Sequence, residues 1–300
     1  MNDKVNLMIK KKEIKMSTYI SQCTTATIKP PIITIAGFPA SGKTSLAGLF
    51  PNPVFIQSED SQTVFETTDV SSQPLFMPRL PMSCNKKNIS TRSVLMQQLR
   101  EIATEEHIYK TLVIDTVTSL NDMFENEIVE FDKAGAASVQ DAMGGYHKAY
   151  DIIASWHNKM IAACDKIRSL KNMTIVFLAH TAERKIKNSP DVAGEYSVYG
   201  IKMHQKSEKI YISLSDAFLY LKQIESTQGH TVDKKGQTIK QGRIRKSNER
   251  ILITSSDGMT GYVSAKSRYE MPEEISVQKG TNPLIEYIPF FNFKHEEKEQ

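Results

Sequence analysis

The sequence predicts an α/β fold, a mainly parallel β-sheet flanked by helices and extended by further strands toward its C-terminal end. Three observations predict it. Short apolar runs of strand length recur through the first 223 residues, at "IITIA" (32–36), "PVFIQSED" (53–60), "TLVIDT" (111–116), "MTIVFLAH" (173–180) and "DAFLYLKQ" (216–223). Between them, apolar residues recur at helical spacing. Beyond residue 223 the texture changes to shorter strand-like runs joined by turns.

Taken in order, residues 1–28 are polar and lysine-rich and predict a flexible N-terminal arm, within which Met16 is an alternative start to Met1. The first strand, 32–36, leads through a glycine-bearing turn into a helix from Lys43. The second strand, 53–60, ends in acidic residues. Residues 61–90 carry Ser, Thr, Pro and Asn with little periodicity and predict an irregular excursion, with a short strand at 75–77. From Ser90, the residues Val94, Leu95, Leu99 and Ile102 mark a helix face. The third strand, 111–116, is followed by a helix with Val117, Leu120, Phe124, Ile128 and Phe131 on one side. The small-residue segment "KAGAASVQDAMGG" (133–145) interrupts. A long helix then carries Tyr146, Tyr150, Ile153, Met160, Cys164 and Ile167 on one stripe. The fourth strand ends at His180, and 181–203 reads as polar and irregular. After the fifth strand, 226–270 predicts a β extension that includes a basic hairpin, so that one domain spans 29–270. Residues 271–300, ending "KHEEKEQ", read as a tail.

Bulk properties narrow the function classes. A chain of 300 residues with 40% hydrophobic and 24% charged residues has material for a sizeable core. The net charge of +4 permits an anionic partner without requiring one. The cysteines, Cys23, Cys84 and Cys164, are odd in number and far apart, which points to free thiols in a reducing compartment. No apolar run approaches the ~18 residues of a membrane span, and the N-terminus lacks a secretory apolar region. A cytoplasmic protein is the expectation.

The chemistry begins at "GFPASGKT", where Gly37, Gly42, Lys43 and Thr44 satisfy G-x-x-x-x-G-K-[ST]. A phosphate chain must be held closely. Glycines let backbone N–H groups turn inward without Cβ obstruction, and the following helix directs its N-terminal dipole at the anion. The expected nucleotide contacts are Gly37, Pro39, Ala40, Ser41, Gly42, Lys43, Thr44 and Ser45, with Lys43 on the β and γ oxygens and Thr44 on Mg²⁺. Asp115, at the end of a buried strand, is the expected second holder of Mg²⁺. Glu59 is placed to polarise an attacking water, with Asp60 its neighbouring competitor. His180 is placed to touch the γ-phosphate and report its loss to the next loop.

These points, in this order, resemble the RecA-like branch of P-loop ATPases. "VFIQSE" looks like that family's catalytic-glutamate strand, "LVIDTVTSL" its Mg²⁺-aspartate strand, and "IVFLAH" its nucleotide-sensing strand, with histidine where the best-known members have glutamine. More narrowly, with "AKSRYEMPEEI" added, the chain is similar to phage-encoded single-strand annealing recombinases over about residues 30–275. The resemblance implies Mg-ATP hydrolysis coupled to single-stranded DNA, a homo-oligomeric ring or filament, a single-strand-binding protein as helper, and the host cytoplasm. It places DNA-contacting loops at 133–145 and 181–203. It also casts Lys266 and Arg268, two apart in "VSAKSRYE", as trans cations for a neighbour's phosphates. Local charge adds DNA candidates: Arg184, Lys185 and Lys187 in one segment, and Lys234, Lys235, Lys240, Arg243, Arg245 and Lys246 in another. Tyr196 and Tyr199 are the nearby stacking candidates. The same nucleotide site would also serve a helicase-like or loader motor, a small-molecule or nucleotide kinase, or a non-hydrolysing scaffold.

Overall fold

The computed structural model describes Cys23 and residues 27–60, 74–186, 195–228, 231–232, 238–240, 243–256 and 263–292. Lys187, Lys234 and Lys235 lie outside the described residues, as do most of the expected N-terminal arm and the C-terminal residues 293–300.

Ten strands form one sheet. Along its main path they are β12 (Glu274–Val277), β10 (Arg243–Ile253), β7 (Ala217–Gln228), β1 (Ile32–Gly37), β5 (Thr174–Ile186), β4 (Thr111–Asp115), β2 (Pro53–Gln57) and β3 (Leu75–Phe76). Off this path, β6 (Tyr196–Ile201) pairs with β5 and β11 (Lys266–Ser267) with β7. The run β7-β1-β5-β4-β2-β3 is parallel, whereas β10, β11 and β12 join antiparallel. The predicted α/β class and its C-terminal β extension are therefore what the chain adopts. Two short strands, β8 (Thr231–Val232) and β9 (Thr238–Lys240), pair in a separate ribbon.

The central strands read as unbroken apolar runs because both of their faces are covered. Alternation sorts their side chains between two cores. Ile32, Ala36, Leu112, Ile114, Ile175 and Phe177 face one, which is closed by α2 (Thr91–Thr104), α3 (Val117–Glu130), α4 (Lys148–Lys171) and α5 (Gln205–Leu214). Ile33, Ile35, Val113, Val176 and Leu178 face the other, closed by α1 (Lys43–Ala47) and by Leu284 and Ile288 of the C-terminal segment. Ser90 and Thr116 cap α2 and α3, each accepting from the backbone N–H three residues on.

Four features differ from the expectation. The helix after the glycine loop is only five residues long: Gly48 keeps right-handed dihedrals, Leu49 and Phe50 turn back to Leu46 and Ala47, and Pro51 offers no N–H to continue. Second, the strand through His180 does not end there. β5 continues to Ile186 and pairs antiparallel with β6, from Thr181↔Ile201 to Ile186↔Tyr196, so 181–203 contains a hairpin instead of an irregular loop. Its polar strand residues hide it from a search for apolar runs. Third, α5 follows directly, capped by the His204 ring, which accepts from Lys206 N–H. Fourth, the expected tail is built into the fold: β12 pairs with β10, and Ile275, Val277, Leu284 and Ile288 are buried. "EISV" alternates as an edge strand should, and its short length conceals it.

Candidate functional site

Parallel strands deliver their C-terminal ends to one rim of the sheet, where irregular backbone can serve a ligand. Register brings Gly37 beside His180, Gln57 beside Asp115, and Asp115 beside Leu178. The loop after β1, the acid after β2, the acid ending β4 and the histidine within β5 thus meet.

The loop is shaped by its glycines. A Cβ on Gly37 would stand 2.4 Å from the Leu221 carbonyl oxygen. Gly42 has φ of 95°, and a Cβ there would stand 2.7 Å from Arg250 Nε. Ala40 also takes a left-handed φ, of 62°. Pro39, Ala40 and Ser45 are exposed, while Ser41 and Lys43 are buried. Ser41 Oγ is buried without a hydrogen-bond partner, although its carbonyl accepts from Arg250 Nε at 2.9 Å. With α1 so short, oriented backbone N–H groups of the loop, more than a helix dipole, are left to hold an anion.

Lys43 Nζ donates to the carbonyls of Gly37 (3.1 Å) and Phe38 (2.9 Å) and lies 3.3 Å from His180 Nδ1. An ammonium only donates, so Nδ1 accepts and the proton sits on Nε2. That N–H faces Glu59, at 3.1 Å from Oε1. Glu59 Oε1 also accepts from the hydroxyls of Thr116 (2.7 Å) and Ser119 (2.5 Å). His180, with Ser119 and Thr116, draws the Glu59 carboxyl down to about 2 against the opposing effect of burial. Burial lowers Lys43 to about 8, while the charges of Asp115 and Glu59 oppose the fall. Thr44 Oγ1 donates to Asp115 Oδ2 at 2.9 Å.

A hydroxyl and a carboxylate are hard oxygen donors, suited to Mg²⁺ completed by phosphate oxygens and water. Among the described residues no group of three or more His, Cys, Asp or Glu is placed to hold a metal. Thr44 and Asp115 are the residues that would do so beside a phosphate chain.

Sequence reasoning missed the groups that brace this cluster. Ser58 Oγ donates to the Thr116 carbonyl and accepts from Thr116 N–H, both at 2.8 Å, and the Asp115–Thr116 peptide is cis. Thr118 Oγ1 accepts from His180 N–H at 2.9 Å. The hydroxyl-rich run after Asp115 was a partial signal for these. Arg250 gave none.

Other expected residues lie elsewhere. β11 ends at Ser267, so Lys266 and Arg268 do not share a strand. Lys266 Nζ donates to the Ser213 carbonyl at 3.1 Å, and Arg268 pairs with Asp216 at 2.9 Å. Both cations are engaged within their own chain. Arg184 pairs with the buried Glu208 and donates to the carbonyls of Ile201 (2.8 Å) and Met203 (3.0 Å), so its guanidinium holds the hairpin together. Lys185, on the opposite strand face, is exposed. Lys240 lies on β9 and Arg243 and Arg245 on β10, with only their backbone described. Tyr199 sits edge-on to Phe38 of the glycine loop, ring centres 5.1 Å apart.

The family model AAA_24, described as an AAA domain, matches residues 29–269. No curated protein matches the chain.

Proposed function

The chain belongs to the AAA_24 family of AAA domains, which makes it a nucleotide-binding P-loop ATPase, and from that premise we propose that it hydrolyses Mg-ATP in response to single-stranded DNA. The reading extends to a role in phage recombination or strand annealing, as a homo-oligomer and with a single-strand-binding protein as helper, in the host cytoplasm.

One observation carries the hydrolysis at the centre of this reading. Four side chains from four separate segments, Lys43, Glu59, Asp115 and His180, converge at one rim of the sheet with direct contacts linking Lys43 to His180 and His180 to Glu59. Each group has work to do there. The loop N–H groups and Lys43 bind phosphate oxygens. Asp115 and Thr44 would hold the magnesium, which supplies charge neutralisation when bound. Glu59, ionised and aimed by three donors, orients and accepts a proton from water. His180 links Glu59 to Lys43 and belongs to the same strand as the hairpin. A cleft of about 340 Å³ lined by Gly42, Ser45, Leu49, Arg250 and Gly280 has the capacity for a nucleoside.

The test is ATP turnover with and without single-stranded DNA. Turnover should rise with DNA, and Lys43→Ala should abolish it along with nucleotide binding. Glu59→Gln should keep binding and cut turnover by about 10² to 10⁴. Turnover indifferent to DNA over a wide range of salt sinks the DNA part. Phosphate transfer to a nucleoside or nucleotide acceptor, instead of water, would make the protein a kinase.

A further inference from the structure

Two segments far apart in sequence bring three rings together outside the nucleotide cluster. Tyr150, in the first turn of α4, stacks on His204, which precedes α5, with ring centres 4.1 Å apart and planes at 14°. His147 joins them at 5.8 Å from Tyr150 and 6.5 Å from His204, tilted by 31° and 33°. His147 is exposed, and Tyr150 and His204 are half-buried. Beside them Tyr146 is 91% exposed.

The backbone holds this display in place against local preference. Gly144, Gly145, Tyr146 and His147 have φ of 84°, 74°, 52° and 61°. A left-handed conformation disfavours side chains such as those of Tyr and His. No burial of the Tyr146 ring offsets it. The loop is braced from within: the Asp132 carboxylate accepts from the N–H groups of Ala134 (3.1 Å), Ala136 (3.0 Å) and Met143 (3.0 Å). Ala142 and Ala149, fully buried, pin it on both sides.

Two lysines neighbour the rings in sequence, Lys148 directly after His147 and Lys206 two residues after His204. Lys148 and Lys206 are exposed. Lys206 meets Asp151 at 2.5 Å, with side chains 44% and 62% exposed, and an exposed pair of this kind is weak enough for a phosphate to replace it. Aromatic faces among cations are the chemistry that grips unpaired bases and their backbone.

We propose that the rings of His147, Tyr150 and His204, together with Tyr146, form a platform on which bases of single-stranded DNA stack, while Lys148 and Lys206 take adjoining phosphates. The strand's identity rests on the DNA reading above, but its binding here does not depend on hydrolysis.

Fluorescence anisotropy on the full chain tests this, with a labelled thymidine oligonucleotide and an abasic strand of equal length. The unaltered protein should prefer the strand that carries bases by about five-fold or more. Tyr146→Ala, and separately His204→Ala, should erase most of that preference and leave abasic binding unchanged. Lys148→Gln should weaken both strands and reduce the salt slope by about one. Equal affinity of the unaltered protein for the two strands overturns the platform. So does a Tyr146→Ala protein that binds thymidine strands as before. If that variant loses base preference yet its ATPase still responds to DNA, the platform stands as a stacking site. If the unaltered protein prefers bases while ATP turnover ignores DNA, the platform stands and DNA-dependent hydrolysis falls.

Discussion

Lys43 keeps its charge in a buried place, and burial lowers it to about 8. A folded value below the ordinary 10.5 means that the unfolded chain binds this proton more tightly. The ammonium therefore opposes folding at neutral pH, and stability rises as pH climbs from about 8 to 10.5. Lys43→Met should raise Tm at pH 7, with the gain over the unaltered protein shrinking toward pH 10.5 by at most about 3 kcal/mol; thermal unfolding across that window checks it. Phosphates beside Lys43 restore its affinity for a proton, so ATP binding at pH 8.5 should take up as much as about three quarters of a proton. Calorimetry in buffers of different ionisation enthalpy measures this, and zero uptake counts against the lysine's phosphate role. Glu59 behaves oppositely. Its depressed value gives stability that is present above about 4.5 and lost as pH falls toward 2, so an acid limb of activity between pH 5 and 7 belongs to another group. Lys43, Glu59, Asp115 and His180 were legible because each stands in a phosphate-loop motif or ends an apolar run. Arg250 was illegible: it reaches Ser41 across 209 residues from a strand with no motif, and only folding reveals the approach.

At the scale of elements, the hairpin of β5 and β6 depends on one buried pair. Glu208 accepts from the Ile201 N–H at 2.8 Å and pairs with Arg184. Gly200 leaves room for this carboxylate, since a Cβ there would stand 2.5 Å from Glu208 Oε1. Arg184→Ala strands a buried charge and should destabilise the protein by about 3–5 kcal/mol, read from urea unfolding. Adding Glu208→Gln should recover part of that loss; a variant as stable as the unaltered protein would show that the pair is dispensable. The central parallel strands were legible because two covered faces produce unbroken apolar runs. The hairpin was not, since Thr181–Ile186 alternates Thr, Glu and Lys with Ala, Arg and Ile, and its polar members find partners that only the tertiary structure supplies. The helix from Lys43 was legible in position and not in length, because the chain leaves it through turns that run to Pro51.

Across the whole molecule, one sheet joins the nucleotide rim to strands that arrive from the C-terminal end. Among the described residues no helix is long and apolar enough to cross a membrane. Residues 271–292 complete the second core instead of trailing from it, so a chain stopped at Glu270 forfeits Ile275, Val277, Leu284 and Ile288. Each such burial contributes about 1.5–3 kcal/mol, which together rivals the whole stability of a domain. The shortened chain should be protease-sensitive or insoluble; cooperative unfolding at an unchanged Tm would contradict the packing. This segment was illegible because a four-residue edge strand and two single-turn helices, Leu284–Tyr287 and Pro289–Asn292, carry too little periodicity to stand out. The course of β5 has a mechanical implication. His180 is the seventh residue of an unbroken strand of thirteen, and an extended backbone stretches very little along its own axis. Tension applied to the outer six residues would reach the imidazole with almost no slack, as along a pushrod.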